Sequence, residues 1–156
     1  MKTLAIGSYS SGTMRPEDLI PCFMDALREV ATRDDLKFLR DARARRDEYG
    51  YHETEDASFD LDELFVRLDA HCPPYCYFGA SDGGGADYGC WVSWDVLEED
   101  RKSGEIWVRD DRWKADANKG DYPKGYTGMY LAVSDHGNAT LYKVTRGRAR
   151  EIWGIM

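Results

Sequence analysis

Three stretches of the chain hold residue types that could do chemistry. Ser81-Asp-Gly-Gly-Gly-Ala-Asp-Tyr-Gly89 sets three successive glycines between two aspartates. Glycine-rich loops present backbone N–H groups to phosphate. Here no Lys follows, an aromatic run rather than a helix comes next, and Asp82 and Asp87 would repel an anion. A cation held by the two aspartates and loop carbonyls is chemically easier, but the oxygen spacing matches no calcium loop. A wide hairpin turn, with glycines supplying positive φ, accounts for the run most simply. His71, Cys72, Cys76 and Cys90 are zinc-ligand types within twenty residues. Cys-x₃-Cys occurs once and no second pair answers it, so no metal and no cofactor is expected. Free cysteines in such places pack as small hydrophobes. Ser134, Asp135 and His136 adjoin, but neighbours on a strand point to opposite faces and cannot form a relay. No Gly-x-Ser-x-Gly elbow is present. The three histidines, His52, His71 and His136, are expected in a polar loop, at a helix end and in a hairpin turn, all surface settings.

Binding chemistry is better supplied. Five Trp and ten Tyr occur in 156 residues, and every Trp lies in the second half, at 91, 94, 107, 113 and 153. Trp91 and Trp94, three apart on one expected strand, face opposite ways. Such a strand is covered on both faces or offers one to a partner, and Trp is an interface anchor. The net charge of −8 is uneven: residues 51–100 hold thirteen acids against the single base Arg67, and residues 101–156 hold eleven bases against seven acids. The acidic middle would repel DNA and attract basic surfaces, or serve only as a solubilising face.

The elements that must position these groups follow from periodicity. Pro16 suits a first helical residue, and Ile20, Phe23, Met24, Leu27 and Ala31 follow the spacing of a core-facing helix. Pro21 should kink that helix or delay its start. A second helix is expected from Asp34 to about Arg46, with a thin apolar face of Leu36 and Leu39 and a basic end. Residues 49–58 form a polar loop, and a third helix runs from Asp60 to about Ala70 with Leu61, Leu64, Phe65 and Leu68 on one stripe. That stripe forces Asp60, Asp62, Glu63 and Asp69 outward. After Pro73-Pro74 the period falls to two, giving strands at 75–80, 88–94, 105–109, 129–134, 139–144 and 151–155, with a helical turn near 95–102 and a long loop over 110–126. A two-residue turn at His136-Gly137 would pair Val133 with Thr140, Leu131 with Tyr142 and Met129 with Val144. The expectation is one α+β domain, 1–156, with two to three N-terminal helices packed on a C-terminal antiparallel sheet of about five strands.

No stretch approaches the roughly 18 apolar residues of a membrane helix, and the N-terminal residues lack a signal-peptide core, so a cytoplasmic location with reduced cysteines is expected. Tyr9-Ser-Ser-Gly-Thr-Met-Arg-Pro-Glu-Asp-Leu-Ile20, Tyr77-Phe-Gly-Ala80, Gly85-Ala-Asp-Tyr-Gly89 and Val133-Ser-Asp-His-Gly-Asn138 resemble small uncharacterised proteins of bacteria, their phages and mobile elements. The resemblance carries no activity or catalytic residue. It implies a bacterial host cell and a small binder of host machinery, such as an anti-restriction or anti-CRISPR inhibitor. The expected function is therefore non-enzymatic binding of a host protein or protein–nucleic-acid complex, without strong direct DNA binding. Asp56, Asp60, Asp62, Glu63 and Asp69 are the acidic contacts and Trp91 or Trp94 the anchor. Two alternatives stand beside it: a small enzyme or metal-dependent module around Gly83–Gly85 with Asp82, Asp87 and His136, and a nucleic-acid contact through Arg43, Arg45, Arg46, Arg146, Arg148 and Arg150.

Overall fold

The computed structural model describes residues 2–110 and 122–156. It is α+β, with four α-helices and two sheets, and the chain divides into the units Met1–Val92 and Ser93–Met156. Helices are not confined to the N-terminal part, and the expected single meander is instead two separate sheets.

In the first unit, strand β1 (Gly7–Ser11) is followed by helices α1 (Pro16–Val30), α2 (Arg33–Arg46) and α3 (Glu55–Ala70), then by the hairpin β2 (Cys76–Ser81) and β3 (Gly84–Val92). The sheet order is β1-β3-β2, antiparallel throughout. Helix α1 runs unbroken through Pro21. One missing N–H costs less than the apolar face gains, since Leu19, Ile20, Phe23, Met24 and Leu27 are all buried. Phe23 lies edge-on to both Phe65 and Phe78, with ring centroids 5.1 Å apart in each pair, and this aromatic cluster joins α1, α3 and β2.

Strand β1 falls where sequence indicates a turn-rich stretch. Pairing across eighty residues leaves no local trace, but Gly89 carries a mark of it. A Cβ there would stand 2.2 Å from the Gly7 carbonyl oxygen, so only glycine lets β1 lie against β3. On α2 the apolar face is Phe38, Leu39 and Ala42, whereas Leu36 is 52% exposed. Helix α3 begins five residues earlier than expected, at Glu55, after a short 3₁₀ turn (Tyr51–Glu53) in which Tyr51 is buried.

The second unit opens with α4 (Trp94–Ser103), a full helix of ten residues ended by Gly104 in the left-handed region. Trp94 is therefore the first residue of a helix and not part of a two-faced strand. Strands β4 (Ile106–Asp110), β5 (Gly128–Val133), β6 (Ala139–Thr145) and β7 (Arg148–Ile155) form a sheet in that order. β4 and β5 run parallel, contrary to an all-antiparallel sheet. A parallel neighbour demands a crossover of a dozen or more residues, the physical reason for the long polar stretch between them. Most of the expected 110–126 loop, 111–121 with Trp113, lies outside the described residues.

The β5–β6 register is Val133 with Ala139, Leu131 with Leu141 and Met129 with Lys143, one residue away from the expected pairing. The turn is longer, spanning 134–138 and closed by Ser134 N–H donating to the Asn138 carbonyl at 2.8 Å. This register sets Leu131, Leu141 and Trp153 in one buried row across β5, β6 and β7. Tyr130 and Tyr142 stack on the opposite face, centroids 5.7 Å apart, with Tyr122 edge-on to Tyr130.

Candidate functional site

Helix α3 carries six acids and one base. The helix dipole accounts for Glu55 and Asp56 in its first turn. The other charges divide by the direction they face.

Asp60 is wholly buried, which corrects its expected place on the outer surface. Arg45, on α2, donates through Nε to Oδ2 at 3.0 Å and through Nη2 to Oδ1 at 2.5 Å, and the Tyr51 hydroxyl donates to Oδ2 at 2.8 Å. Burial first, then the Asp60 carboxylate, push the Tyr51 phenol well above its ordinary range. Asp60 is an internal fastener between α2, α3 and the 3₁₀ turn. Arg45, one of the arginines of the nucleic-acid alternative, is spent on it.

Arg67 is the second fastener. Its Nε donates to Glu63 at 2.8 Å, its Nη1 to Asp34 at 2.8 Å and to Asp35 at 2.9 Å, and its guanidinium sits 4.7 Å over the Phe38 ring. Asp35 is also buried and accepts from the Thr32 hydroxyl at 2.6 Å and the Thr32 N–H at 2.8 Å, closing a capping box. His71 is 3% exposed, not a surface residue, and its Nε2 lies 2.9 Å from Asp35 Oδ2 and its Nδ1 3.3 Å from the Lys2 carbonyl oxygen. Asp69 Oδ1 accepts the Phe78 N–H at 2.9 Å, tying the helix end to β2.

Once these bonds are made, Glu55, Asp56 and Asp62 remain exposed and without an ion pair among the described residues. Between them stand two exposed apolar side chains, Phe59 at 62% and Val66 at 65%. Seven residues apart, they lie on one side of the helix about 10 Å from each other, with Asp62 between them. The outer face is thus an apolar stripe edged with exposed carboxylates. Phe59 and Val66 escaped the sequence reading although a signal was there: both fall out of phase with the buried Leu64 and Leu68 and the partly buried Leu61.

The remaining expected groups do not converge. Trp91 is half-buried, its Nε1–H donating to the Gly79 carbonyl at 3.0 Å, and Trp94 is 46% exposed on α4. Asp87 accepts from the Ser8 hydroxyl, and Asp82 is exposed near the Tyr77 hydroxyl at 3.4 Å. Gly84 and Gly85 begin β3, and His136 is exposed in the β5–β6 turn of the second unit. Among the described residues no group of three or more His, Cys, Asp or Glu is arranged to hold a metal ion, and no helix is long and apolar enough to cross a membrane. Arg43 is exposed and Arg46 half-buried at the end of α2. Arg146, Arg148 and Arg150 are exposed on the β6–β7 hairpin. Compared with protein-family models, curated proteins and solved structures, the chain matches none.

Proposed function

We propose that this chain is a non-enzymatic binding protein whose working surface is the outer face of α3, and that its partner is a protein presenting basic side chains around an apolar groove. The observation that carries the reading is the pair Phe59 and Val66, exposed two turns apart and flanked by Glu55, Asp56 and Asp62. A helix that serves only to pack gains nothing from an exposed phenylalanine, whereas aromatic anchors dominate interface energetics. Exposed carboxylates around it favour encounter with a cationic surface. The anchor role passes from Trp91 and Trp94 to Phe59, and the acidic contacts are Glu55, Asp56 and Asp62, with Glu63 and Asp69 occupied internally.

The test uses tagged wild-type protein, the charge reversal Glu55→Lys/Asp56→Lys/Asp62→Lys, and Phe59→Ala. A partner captured by the wild type is purified and its kinetics measured against all three. The reversal should slow association at least tenfold at low salt. Phe59→Ala should speed dissociation by a factor of ten or more, the effect of losing an anchor worth about 2 kcal/mol. Circular dichroism should be unchanged, since these side chains are exposed. A partner that binds all three equally well would end this reading.

A further inference from the structure

Cys90 on β3 is fully buried, and its neighbours Cys72 and Cys76 are half-buried. The β2–β3 register pairs Cys76 with Val92 and Phe78 with Cys90, so Cys76 and Cys90 lie diagonally on the same, core-facing side of the hairpin. Cys72 arrives from the turn after α3. Asp69 fixes that turn over the sheet by accepting the N–H groups of Cys72, through its carbonyl at 3.0 Å, and of Phe78, through its carboxylate. The Cys76 N–H donates to the Pro73 carbonyl at 3.1 Å, closing the turn that carries Cys72 onto β2. The fourth cysteine, Cys22, sits on α1 with its thiol directed at the Tyr9 carbonyl at 3.1 Å.

We infer that Cys72, Cys76 and Cys90 form an oxidisable thiol site, which a small peroxide converts to one intramolecular disulfide that always includes Cys90. Interaction with Cys90 first, and burial second, push the Cys72 and Cys76 thiols up. The same two neighbours, outweighing burial, draw the Cys90 thiol below the ordinary range. In the first step the Cys90 thiolate attacks a peroxide oxygen, the O–O bond breaks, and sulfenic acid and one water result after protonation. In the second, the sulfur of Cys72 or Cys76 attacks the sulfenic sulfur, the S–O bond breaks, and a disulfide and a second water form. Two thiols are oxidised and one hydrogen peroxide is reduced. Closing the bond requires the Asp69-held turn to shift until two sulfurs come within bonding distance. The third thiol stays next to the bond and can exchange into it.

The experiment treats reduced, folded protein with hydrogen peroxide, counts thiols after denaturation and maps the bridge by mass spectrometry. Thiols should fall from four to two, with Cys90 joined to Cys72 or Cys76 and full return after dithiothreitol. Cys22→Ala should still form the bridge, and so should Cys72→Ala and Cys76→Ala singly, because each leaves Cys90 one partner. Cys72→Ala/Cys76→Ala, which retains Cys90, should not. Four surviving thiols, a bridge to Cys22, a bridge between molecules, or Cys90 driven to sulfinic acid in the wild type would each overturn the inference.

Discussion

Asp60 and Asp62 are two residues apart on one helix and do opposite things. Asp60 is held by Arg45 and Tyr51 out of water, and replacing its carboxylate by an amide leaves the guanidinium and the phenol one neutral acceptor to share. Asp60→Asn should cost about 3–5 kcal/mol in urea denaturation. Asp62→Asn should stay within about 0.5 kcal/mol, because nothing inside depends on it. Equal costs for the two would mean that the division of α3 into inner and outer acids is wrong. Asp35 makes a second prediction. Burial pushes its carboxyl up, but the Thr32 hydroxyl, His71, the Thr32 N–H and Arg67 outweigh burial and hold it well below the ordinary range. A depressed carboxylate contributes fully above its unfolded value, about 4, and loses that contribution as pH falls through the folded value. Wild type should therefore exceed Asp35→Asn in stability at neutral pH, and the gap should close below about pH 4. A gap that stayed constant down to pH 2 would show that Asp35 is not held as an anion.

The β6–β7 turn is built from Arg146 and Gly147, both with positive φ, at 50° and 77°. With Thr145 paired to Arg148, this is a two-residue type I′ hairpin, which favours Asn or Gly at its first position. Arg146→Asn should raise stability by about 1 kcal/mol in thermal denaturation, since the Arg146 N–H bond to the Thr127 hydroxyl is a backbone contact and persists. A fall in melting temperature would mean that the guanidinium holds something the turn needs. Elements of this local kind were legible in the sequence. The apolar spacing of α1, the stripe of α3 and the strands β2, β3, β5 and β6 follow from periods of 3.6 and 2, but the expected wide 81–87 turn is only Asp82-Gly83, and Gly83, Gly84 and Gly85 do not take positive φ. What the sequence hid was set over distance. β1 pairs by backbone with a strand eighty residues on, and β4 and β5 pair in parallel across a long crossover. The partners of Asp60, Arg67 and His71 lie on other elements, so no local pattern distinguishes a buried carboxylate from an exposed one. The candidate surface was half legible: its acidity was plain, but Asp60 was assigned to it and Phe59 was not.

At the scale of the whole chain, the first unit holds eighteen of the 29 acids and ten of the 21 bases, and the second holds eleven of each. The net charge of −8 thus belongs to the unit that carries α3. Random duplex DNA should bind only weakly at about 0.15 M salt, with affinity falling steeply as salt rises. Sub-micromolar binding in a fluorescence anisotropy titration would contradict this and turn attention to the arginines of the β6–β7 hairpin. Those arginines have another consequence. Among the described residues β7 is the last strand of its sheet, and an edge strand is a template on which further copies can grow. Here that edge begins with Arg148 and Arg150, and an irregularity in register between Leu141 and Tyr142 twists the pairing behind it. Stacking a second molecule edge to edge would bring like charges together along a bent rim. The charged rim disfavours growth from this edge of the sheet.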